Sequence, residues 1–342
     1  MTKLMNEWNK VIYSGDLRDY TYPNNLECCD LLRFLKQIST NKKIHLTDAM
    51  NWRMPVPAPG YDMYIVCAFG EFINESFMDK IDNTLSNIVL ITSQYFTNTP
   101  YKNTRVFYVE HLHTIKRFFT KKPYTKLADR STIHGSLSNR NALHKTILTA
   151  KLLDKFDSYN YTFCNNATNE YDIDTLEKDL SNYYPFLNLS EKEIDLINFL
   201  HNNPKKVGGE DWGTDNAIYQ DCQVLWTTES VFLSRKNAPT AYMTEKIIKT
   251  IISGAAFVLV SQRDSIHRLE SMGFKSVFDS SYDSLPDDKR FEEIFKLINN
   301  FNLPDAQNIV DYNYNYFWGD FYSNVEKNNQ PLIKTVLDYI NG

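Results

Sequence analysis

The sequence has few cysteines and no long apolar run, and both absences argue against whole protein classes. Its five Cys include the adjacent pair Cys28–Cys29 and show no Cys-x-x-Cys spacing, so neither a disulfide framework nor a cysteine zinc site is indicated. No apolar run approaches the roughly 20 residues that span a bilayer. The start, MTKLMNEWNK, lacks the basic-then-apolar order of a secretory signal. We therefore expect a reduced, cytoplasmic, soluble protein without a membrane partner.

The chain also lacks an excess of positive charge, because its formal net charge is −5. This argues against a protein that wraps nucleic acid, since phosphate binding needs clustered Lys and Arg. One segment, KRFFTKKPYTKLADR at 116–130, departs from the average. It is either a solvated linker between domains or a surface that faces a polyanion such as double-stranded DNA. On the second interpretation the contacts would come from Lys116, Arg117, Lys121 and Lys122.

The length and the pattern of apolar residues indicate two α/β domains. A chain of 342 residues fits two cores of about 150 residues each. Short apolar runs alternate with helical spacing, which predicts parallel sheets covered by helices. We predict a first domain over 1–127, a second over 128–320, and a C-terminal helix, 321–342, that packs back on the first. Ligands of such sheets bind outside the carboxyl ends of the strands, so two facing domains would form a cleft.

The predicted elements follow the same order in both domains. In the first, we expect strands at 42–48, 61–69, 86–96 and 104–112, with helices at 25–38 and 74–85. In the second, we expect strands at 131–137, 159–166, 222–230, 255–260 and 273–278, with helices at 141–156, 190–203, 245–253, 264–272 and 290–301. A C-terminal helix is expected at 321–340.

The segment AYMTEKIIKTIISG, from Ala241, places charged residues at the start of an apolar helix. Thr244 is a good N-cap, and Glu245 would lie in the first turn, near unpaired backbone N–H groups. A helix N-terminus beside Lys246 suits a diphosphate, while a carboxylate can accept from both hydroxyls of a ribose. Tyr242 could stack on a base. The alternative is an ordinary capped helix with an exposed charge pair.

This segment resembles a motif of glycosyltransferases with the GT-B architecture. The fucosyltransferase-like members carry Tyr-x-Thr-Glu-Lys before a helix and a buried strand. Phage and large-virus glycosyltransferases are more similar still, with a later Leu-x-x-x-Gly-Phe-Lys, here Leu269 to Lys275. The resemblance covers about residues 131–280 and includes SLSNRNALHKTIL, with Lys145 where Arg is usual, and TTES at 227–230. A further departure is Ala255–Ala256, where Gly-x-Pro is common.

The resemblance implies two Rossmann-like domains facing a central cleft, and a nucleotide-sugar donor, expected to be a UDP-sugar, in the second. Glu245 would bind the ribose and Lys246 the phosphates, with Tyr242 and Thr244 shaping the pocket. Arg140 would be a second phosphate clamp, since its fork of donors suits bidentate contacts. Glu229, in TTES, would bind sugar hydroxyls.

Catalysis of this kind would rest on cations that neutralise the leaving diphosphate, so we expect no metal and no cofactor. An inverting enzyme also needs a base on the acceptor side. Glu71 follows a predicted strand and is the first candidate, and Asp48 is the second. His111 and His113 are held in reserve. The Asp-x-Asp of YDID at 171–174 has the form of a metal motif, but we interpret it as a helix start, where acids are favoured.

Two classes of function remain open. The first is sugar transfer, with 5-hydroxymethylcytosine in phage DNA as the acceptor and an arabinosyl- or glucosyl-type donor. A glycan or lipopolysaccharide is the rival acceptor. The second class is a non-catalytic protein that binds nucleotides or DNA.

Overall fold

The protein is seen in a computed structural model that describes most of the chain. The described residues are 40–48, 56–68, 73, 75–96, 99, 101–110, 116, 119–138, 142–163, 176–203, 217–229, 232–233, 241, 243–297 and 303–342. Along these ranges the strands are β1 (Ile44–Asp48), β2 (Met63–Ala68), β3 (Ile88–Thr92), β4 (Thr104–Tyr108), β5 (Thr132–Ser138), β6 (Tyr159–Phe163), β7 (Cys222–Thr228) and β8 (Ala256–Val260). The helices are α1 (Glu75–Thr84), α2 (Leu143–Lys155), α3 (Leu176–Tyr183), α4 (Glu191–Asn202), α5 (Ala217–Asp221), α6 (Glu245–Ile252), α7 (Ser265–Ser271), α8 (Asp287–Lys296), α9 (Leu303–Trp318) and α10 (Phe321–Asn341).

The chain divides into two compact units. The first comprises 1–117, 235–242 and 320–342, and the second 118–234 and 243–319. Each contains a four-stranded parallel sheet, of order β1-β2-β3-β4 in the first and β6-β5-β7-β8 in the second. The predicted α/β class with parallel sheets is therefore confirmed. The predicted boundaries at 127 and 320 stay predictions.

Three of the strands form where the sequence offers short apolar runs that are buried on both faces. In β2, β3 and β8 every residue is buried, as expected for parallel strands covered by helices. In the first unit, α1 packs Phe77, Met78 and Ile81 against β2 and β3 in one apolar cluster. The same unit holds α10, whose Asn329 side chain accepts from the Glu110 N–H and donates to its carbonyl oxygen.

The strand order of the second unit contains a change of direction that positions a ligand site. From β5 the chain crosses to β6 on one side, and the next strand, β7, pairs with β5 on the other side. The helices that follow β5 and β7 therefore diverge from neighbouring strand ends. Such a switch point is where open α/β sheets bind ligands.

Two helix starts that the sequence predicted are confirmed. Thr244 is the N-cap of α6, and its side chain accepts from the Lys246 N–H. Ser190 begins α4 with a complete capping box, in which the Ser190 and Glu193 side chains each accept from the other residue's backbone N–H.

The predicted strand at 273–278 is wrong. Gly273 instead ends α7 in a left-handed conformation, with φ +98°. The backbone N–H and carbonyl of Lys275 pair with the amide side chain of Asn313 in α9 rather than with a strand. The apolar residues that suggested a strand, Phe274 and Phe278, are buried anchors of this irregular segment.

Helix α9 was absent from the prediction because its sequence, LPDAQNIVDYNYNYFW, is rich in Asn and Tyr, which are weak helix formers. Burial decides the outcome: Ala306, Val310, Tyr314 and Phe317 form one buried stripe at helical spacing. The predicted helix at 25–38 lies outside the described residues. None of the described helices is both long and apolar enough to cross a membrane.

Candidate functional site

The candidate site lies at the carboxyl ends of β5 and β7, beside the N-termini of α2 and α6. Ser138 ends β5, and Glu229 directly follows β7, where its N–H extends the ladder to the Val260 carbonyl at 3.0 Å. The first helix after β5 is α2, and the Thr-Glu-Lys motif begins α6. The switch point thus brings the end of β5 and the start of α2 close to the end of β7 and the start of α6.

Glu229 is completely buried, and its carboxylate holds the N-cap of α6. One oxygen accepts from the Thr244 N–H at 3.1 Å and the other from the Thr244 hydroxyl at 2.6 Å. Burial raises the pKa of Glu229, against the opposing effect of the Lys246 cation. Its role as a sugar ligand stays a prediction, and the contacts seen here are internal.

The charged pair of the motif is half-buried at the same place. The Lys246 Nζ donates to the Thr244 hydroxyl oxygen at 2.8 Å and lies 3.7 Å from the Glu245 carboxylate. Lys249, one turn further, lies 3.9 Å from the same carboxylate. Burial raises the pKa of Glu245, but Lys246 and Lys249 outweigh it and leave that pKa below its usual value. Glu245 is therefore an ionised acceptor at neutral pH, as ribose binding requires.

His144, in the first turn of α2, connects the two helix ends. Its Nε2 lies 3.1 Å from the Glu229 backbone carbonyl, and because a carbonyl oxygen only accepts, that nitrogen carries the proton. Burial and then the cations of Lys145 and Lys246 lower the pKa of His144 to about 3. The imidazole is therefore neutral. Lys145 at the start of α2 and Lys246 at the start of α6 both repel its protonated form.

The N-terminus of α2 has the features of an anion site, which the sequence reasoning missed. Its N-cap is Ala142, without a side-chain cap, and its first turn contains no acid. Lys145 is buried in that turn. This lysine entered the sequence analysis only as a departure from the family pattern. The absence of a capping side chain before a basic first turn was the signal that could have revealed it.

Two buried hydroxyls lie next to that helix end. Ser138 and Thr228 are each two residues beyond the paired Ser136 and Trp226 on neighbouring strands, and both are 1% exposed. Neither the Ser138 Oγ nor the Thr228 Oγ1 has a hydrogen-bond partner in the described structure. Buried polar groups without partners are uncommon in proteins, and these two lie at strand ends where a polar ligand would satisfy them.

Several predicted site residues are not placed by the structure. Arg140, Tyr242, Glu71 and Arg117 lie outside the described residues, as do Asn139, His111, His113 and the Asp-x-Asp of 171–174. Asp48 is the last residue of β1, at a carboxyl end, but its side chain is not described. The catalytic candidates therefore stay predictions.

The basic segment divides into an exposed part and a buried end. Lys121 and Lys122 are exposed, and Lys116 is half-buried. Arg130 is buried instead and donates to five backbone carbonyls, those of Thr125, Tyr219, Cys222, Ser253 and Gly254, at 2.6–3.0 Å. A polyanion could meet the exposed lysines but not Arg130.

Across the described residues, no group of three or more His, Cys, Asp or Glu side chains is arranged to hold a metal ion.

Comparisons with known proteins assign no family. No family model and no curated protein matches the chain. Among solved structures, the chain is similar to one described as trehalose-6-phosphate from E. coli bound with UDP-2-fluoro glucose. The alignment has 10% identity and a TM-score of 0.39, and it covers 80% of this chain and 74% of that one. At such values the similarity carries no functional conclusion.

Proposed function

We propose that this protein is a GT-B glycosyltransferase that transfers a sugar from a nucleotide-diphosphate donor to a hydroxyl acceptor. The observation that carries the proposal is the arrangement at the switch point of the second sheet. There, one ionised carboxylate and two lysines occupy the first turns of two helices at adjacent strand ends. An acceptor-only group suits ribose hydroxyls, and helix N-termini with cations suit a diphosphate.

Each residue then has a role in the proposed donor site. Glu245 binds the ribose hydroxyls, because it is ionised and half-buried. Lys246 and Lys145 bind the phosphates, each from the first turn of its helix. Two further residues complete the pocket because of the family resemblance. Arg140 clamps a phosphate, and Tyr242 stacks on the base. Thr244 shapes the pocket as the N-cap.

Sugar transfer of this kind depends mainly on cations that neutralise the charge of the leaving diphosphate, and less on side chains that form bonds to the substrate. The acceptor oxygen attacks the anomeric carbon, the bond from that carbon to the diphosphate oxygen breaks, and the diphosphate leaves with the electron pair. Cations already positioned at the developing negative charge lower this barrier without reorganisation. If the configuration inverts, a carboxylate takes the acceptor proton, with Glu71 and Asp48 as the candidates.

The acceptor that we propose is 5-hydroxymethylcytosine in double-stranded phage DNA, with a UDP-arabinose or UDP-glucose type of donor. The family resemblance supports this choice, and the exposed Lys121 and Lys122 offer contacts to the phosphate backbone. A glycan acceptor, or nucleotide binding without turnover, is an outcome that the experiments distinguish.

A binding experiment tests the donor site. Lys246→Met and Lys145→Met should each weaken the binding of the preferred nucleoside diphosphate about tenfold or more, because a charge-assisted hydrogen bond is worth roughly 1.5–3 kcal/mol. Lys192→Met is the matched control, since its side chain is 69% exposed and it lies on α4. Calorimetric titration with UDP, GDP, ADP and CDP gives the affinities. Unchanged affinity in both site variants would remove the proposed donor site.

A further inference from the structure

The Thr244 hydroxyl makes more hydrogen bonds than an N-cap requires. It donates to the Glu229 carboxylate at 2.6 Å. It also accepts from the Lys246 N–H at 3.4 Å and from the Lys246 Nζ at 2.8 Å. A hydroxyl has one donor and two acceptor positions, so all three are in use.

The direction of these bonds depends on Glu229. Because an ionised carboxylate only accepts, Glu229 fixes the hydroxyl proton toward itself and turns both lone pairs toward Lys246. The carboxylate also adds attraction, since its oxygen lies 3.9 Å from the Lys246 Nζ. The position of the ammonium therefore depends on the buried carboxylate in two ways, through the Thr244 hydroxyl and by direct attraction.

Glu229 is itself held in place from three directions. Its N–H donates to the Val260 carbonyl, its own carbonyl accepts from His144, and its side chain accepts from the Thr244 N–H. It is 0% exposed. Both carboxylate oxygens accept from Thr244, so a sugar hydroxyl would compete with the cap of α6 for them.

We infer that Glu229 is a positioning residue of the donor site, which sets Lys246 through Thr244 so that the ammonium meets the donor diphosphate. This inference rests on the proposed function and replaces the prediction that Glu229 binds the sugar. In this inference the TTES segment serves the phosphate subsite indirectly, because the Glu229 side chain positions Lys246 and does not itself contact the substrate.

Glu229→Gln is the decisive substitution because it keeps the size and removes the acceptor-only character. An amide that faces the Thr244 hydroxyl with its nitrogen takes one of the lone pairs that Lys246 uses. An amide turned the other way opposes the Thr244 N–H with its own N–H. The first orientation disturbs the hydroxyl that Lys246 contacts, the second disturbs the cap bond from the Thr244 N–H, and both remove the negative charge that lies 3.9 Å from the Lys246 Nζ. Thr244→Val removes the hydroxyl at nearly constant shape, and Thr244→Ser restores it.

The experiment compares a nucleoside diphosphate with its nucleoside. With the full-length protein, affinities are measured for the nucleoside diphosphate that the wild type prefers, for the matching nucleoside and for the nucleotide sugar. Glu229→Gln and Thr244→Val should each weaken diphosphate binding about tenfold and change nucleoside binding less than twofold. Thr244→Ser should remain within twofold of the wild type. In the double variant with Lys246→Met, Glu229→Gln should cause no further loss, because both changes remove one interaction.

Other results overturn the inference. Weakened nucleotide-sugar binding with unchanged diphosphate binding would restore the role of sugar ligand. Equal losses for nucleoside and diphosphate, with full additivity to Lys246→Met, would mean a general structural role. If Glu229→Gln fails to fold, Thr244→Val and Thr244→Ser decide alone.

A second measurement separates this inference from the proposed function. The carbon-13 NMR signal of the Lys246 side chain, in the protein without ligand, should shift in both Glu229→Gln and Thr244→Val, while that of Lys192 stays constant. An unmoved Lys246 signal would contradict the positioning role. A wild type that binds no nucleotide would instead overturn the proposed function and leave this test intact.

Discussion

At the scale of single residues, two buried histidines of the second unit remain neutral. His134, on β5, is 6% exposed and its ring lies 4.0 Å from that of Phe156. Burial and then the Lys155 cation lower its pKa to about 4. His144 has a pKa of about 3 for similar reasons. Both pKa values lie below the 6.5 of an unfolded chain, so acid favours unfolding.

The lowered pKa of His134 determines how stability depends on pH. Between pH 6.5 and 4 the unfolded chain binds a proton at His134 that the folded chain does not, so stability falls as the pH falls through this window. His134→Phe should abolish this contribution. The loss of unfolding free energy between pH 7 and pH 5 should then be smaller by about 1–2 kcal/mol, from 1.4 kcal/mol per pH unit. Urea titrations at both pH values measure it, and an identical loss in the variant would contradict the prediction.

Arg130 is a structural arginine inside a segment that looks like a polyanion surface. Burial lowers its pKa to about 10, so the guanidinium stays charged at neutral pH. Arg130→Met should lower the free energy of unfolding by about 3–5 kcal/mol, because several buried carbonyl oxygens lose their donor together. Lys121→Met, at an exposed position of the same segment, should change it by less than about 0.5 kcal/mol. Equal urea midpoints for the two variants would refute this assignment.

At the scale of elements, the junction between α6 and β8 requires a glycine. Gly254 has φ +69°, and a Cβ there would lie 1.9 Å from Cδ2 of Tyr124. Gly60 has φ +109°, but among the described residues no atom lies within 4 Å of its Cβ position. The two glycines therefore share a left-handed backbone and differ in packing.

This pair gives a matched prediction. Gly60→Ala should destabilise by about 1–2 kcal/mol, through backbone conformation alone. Gly254→Ala should cost about 1–3 kcal/mol more, because the Tyr124 ring must also move. Thermal or urea unfolding measures the difference, and similar values for both variants would show that the Tyr124 contact yields easily.

The sequence predicts those elements whose signals are local. The strands of both sheets are short apolar runs, and the caps at Ser190 and Thr244 follow from side-chain chemistry at known spacing. The prediction of a strand from Gly273 was wrong because the backbone of Lys275 pairs with the side chain of Asn313, 38 residues later. The roles of Glu229 and Lys145 also depend on strand order, which brings the ends of β5 and β7 together, and no local pattern encodes that order.

At the scale of the whole molecule, the net charge of −5 repels DNA. DNA binding would therefore require a local basic surface, for which Lys121 and Lys122 are the proposed residues. Lys121→Glu with Lys122→Glu should weaken binding of duplex DNA and reduce the slope of log affinity against log salt by about two, one per phosphate contact. Lys192→Glu with Lys296→Glu makes the same charge change at exposed side chains elsewhere. Equal effects of both double variants would assign the binding to net charge and remove this surface from the proposal.

Two α/β units could be predicted from the repeated alternation of strands and helices, and the C-terminal helix at 321–342 was expected to pack on the first, but the segment 235–242 was not expected there. The first unit includes 320–342 from the far end of the chain and a short segment, 235–242. These additions depend on tertiary packing, such as that of Asn329 on Glu110, which leaves no periodic trace in the sequence.

The central claim is that this chain transfers sugar from a nucleotide donor held at the switch point of its second sheet. The most direct measurement is turnover with duplex DNA containing 5-hydroxymethylcytosine and a panel of nucleotide sugars, read as nucleoside diphosphate release and as the mass of the digested nucleosides. We predict diphosphate release that depends on Lys246, with a pentose or hexose gained by the modified cytosine. Release without a change in the DNA would keep the transferase and redirect the search to glycan acceptors. No release from any donor, with either DNA or glycan acceptors, would contradict the claim.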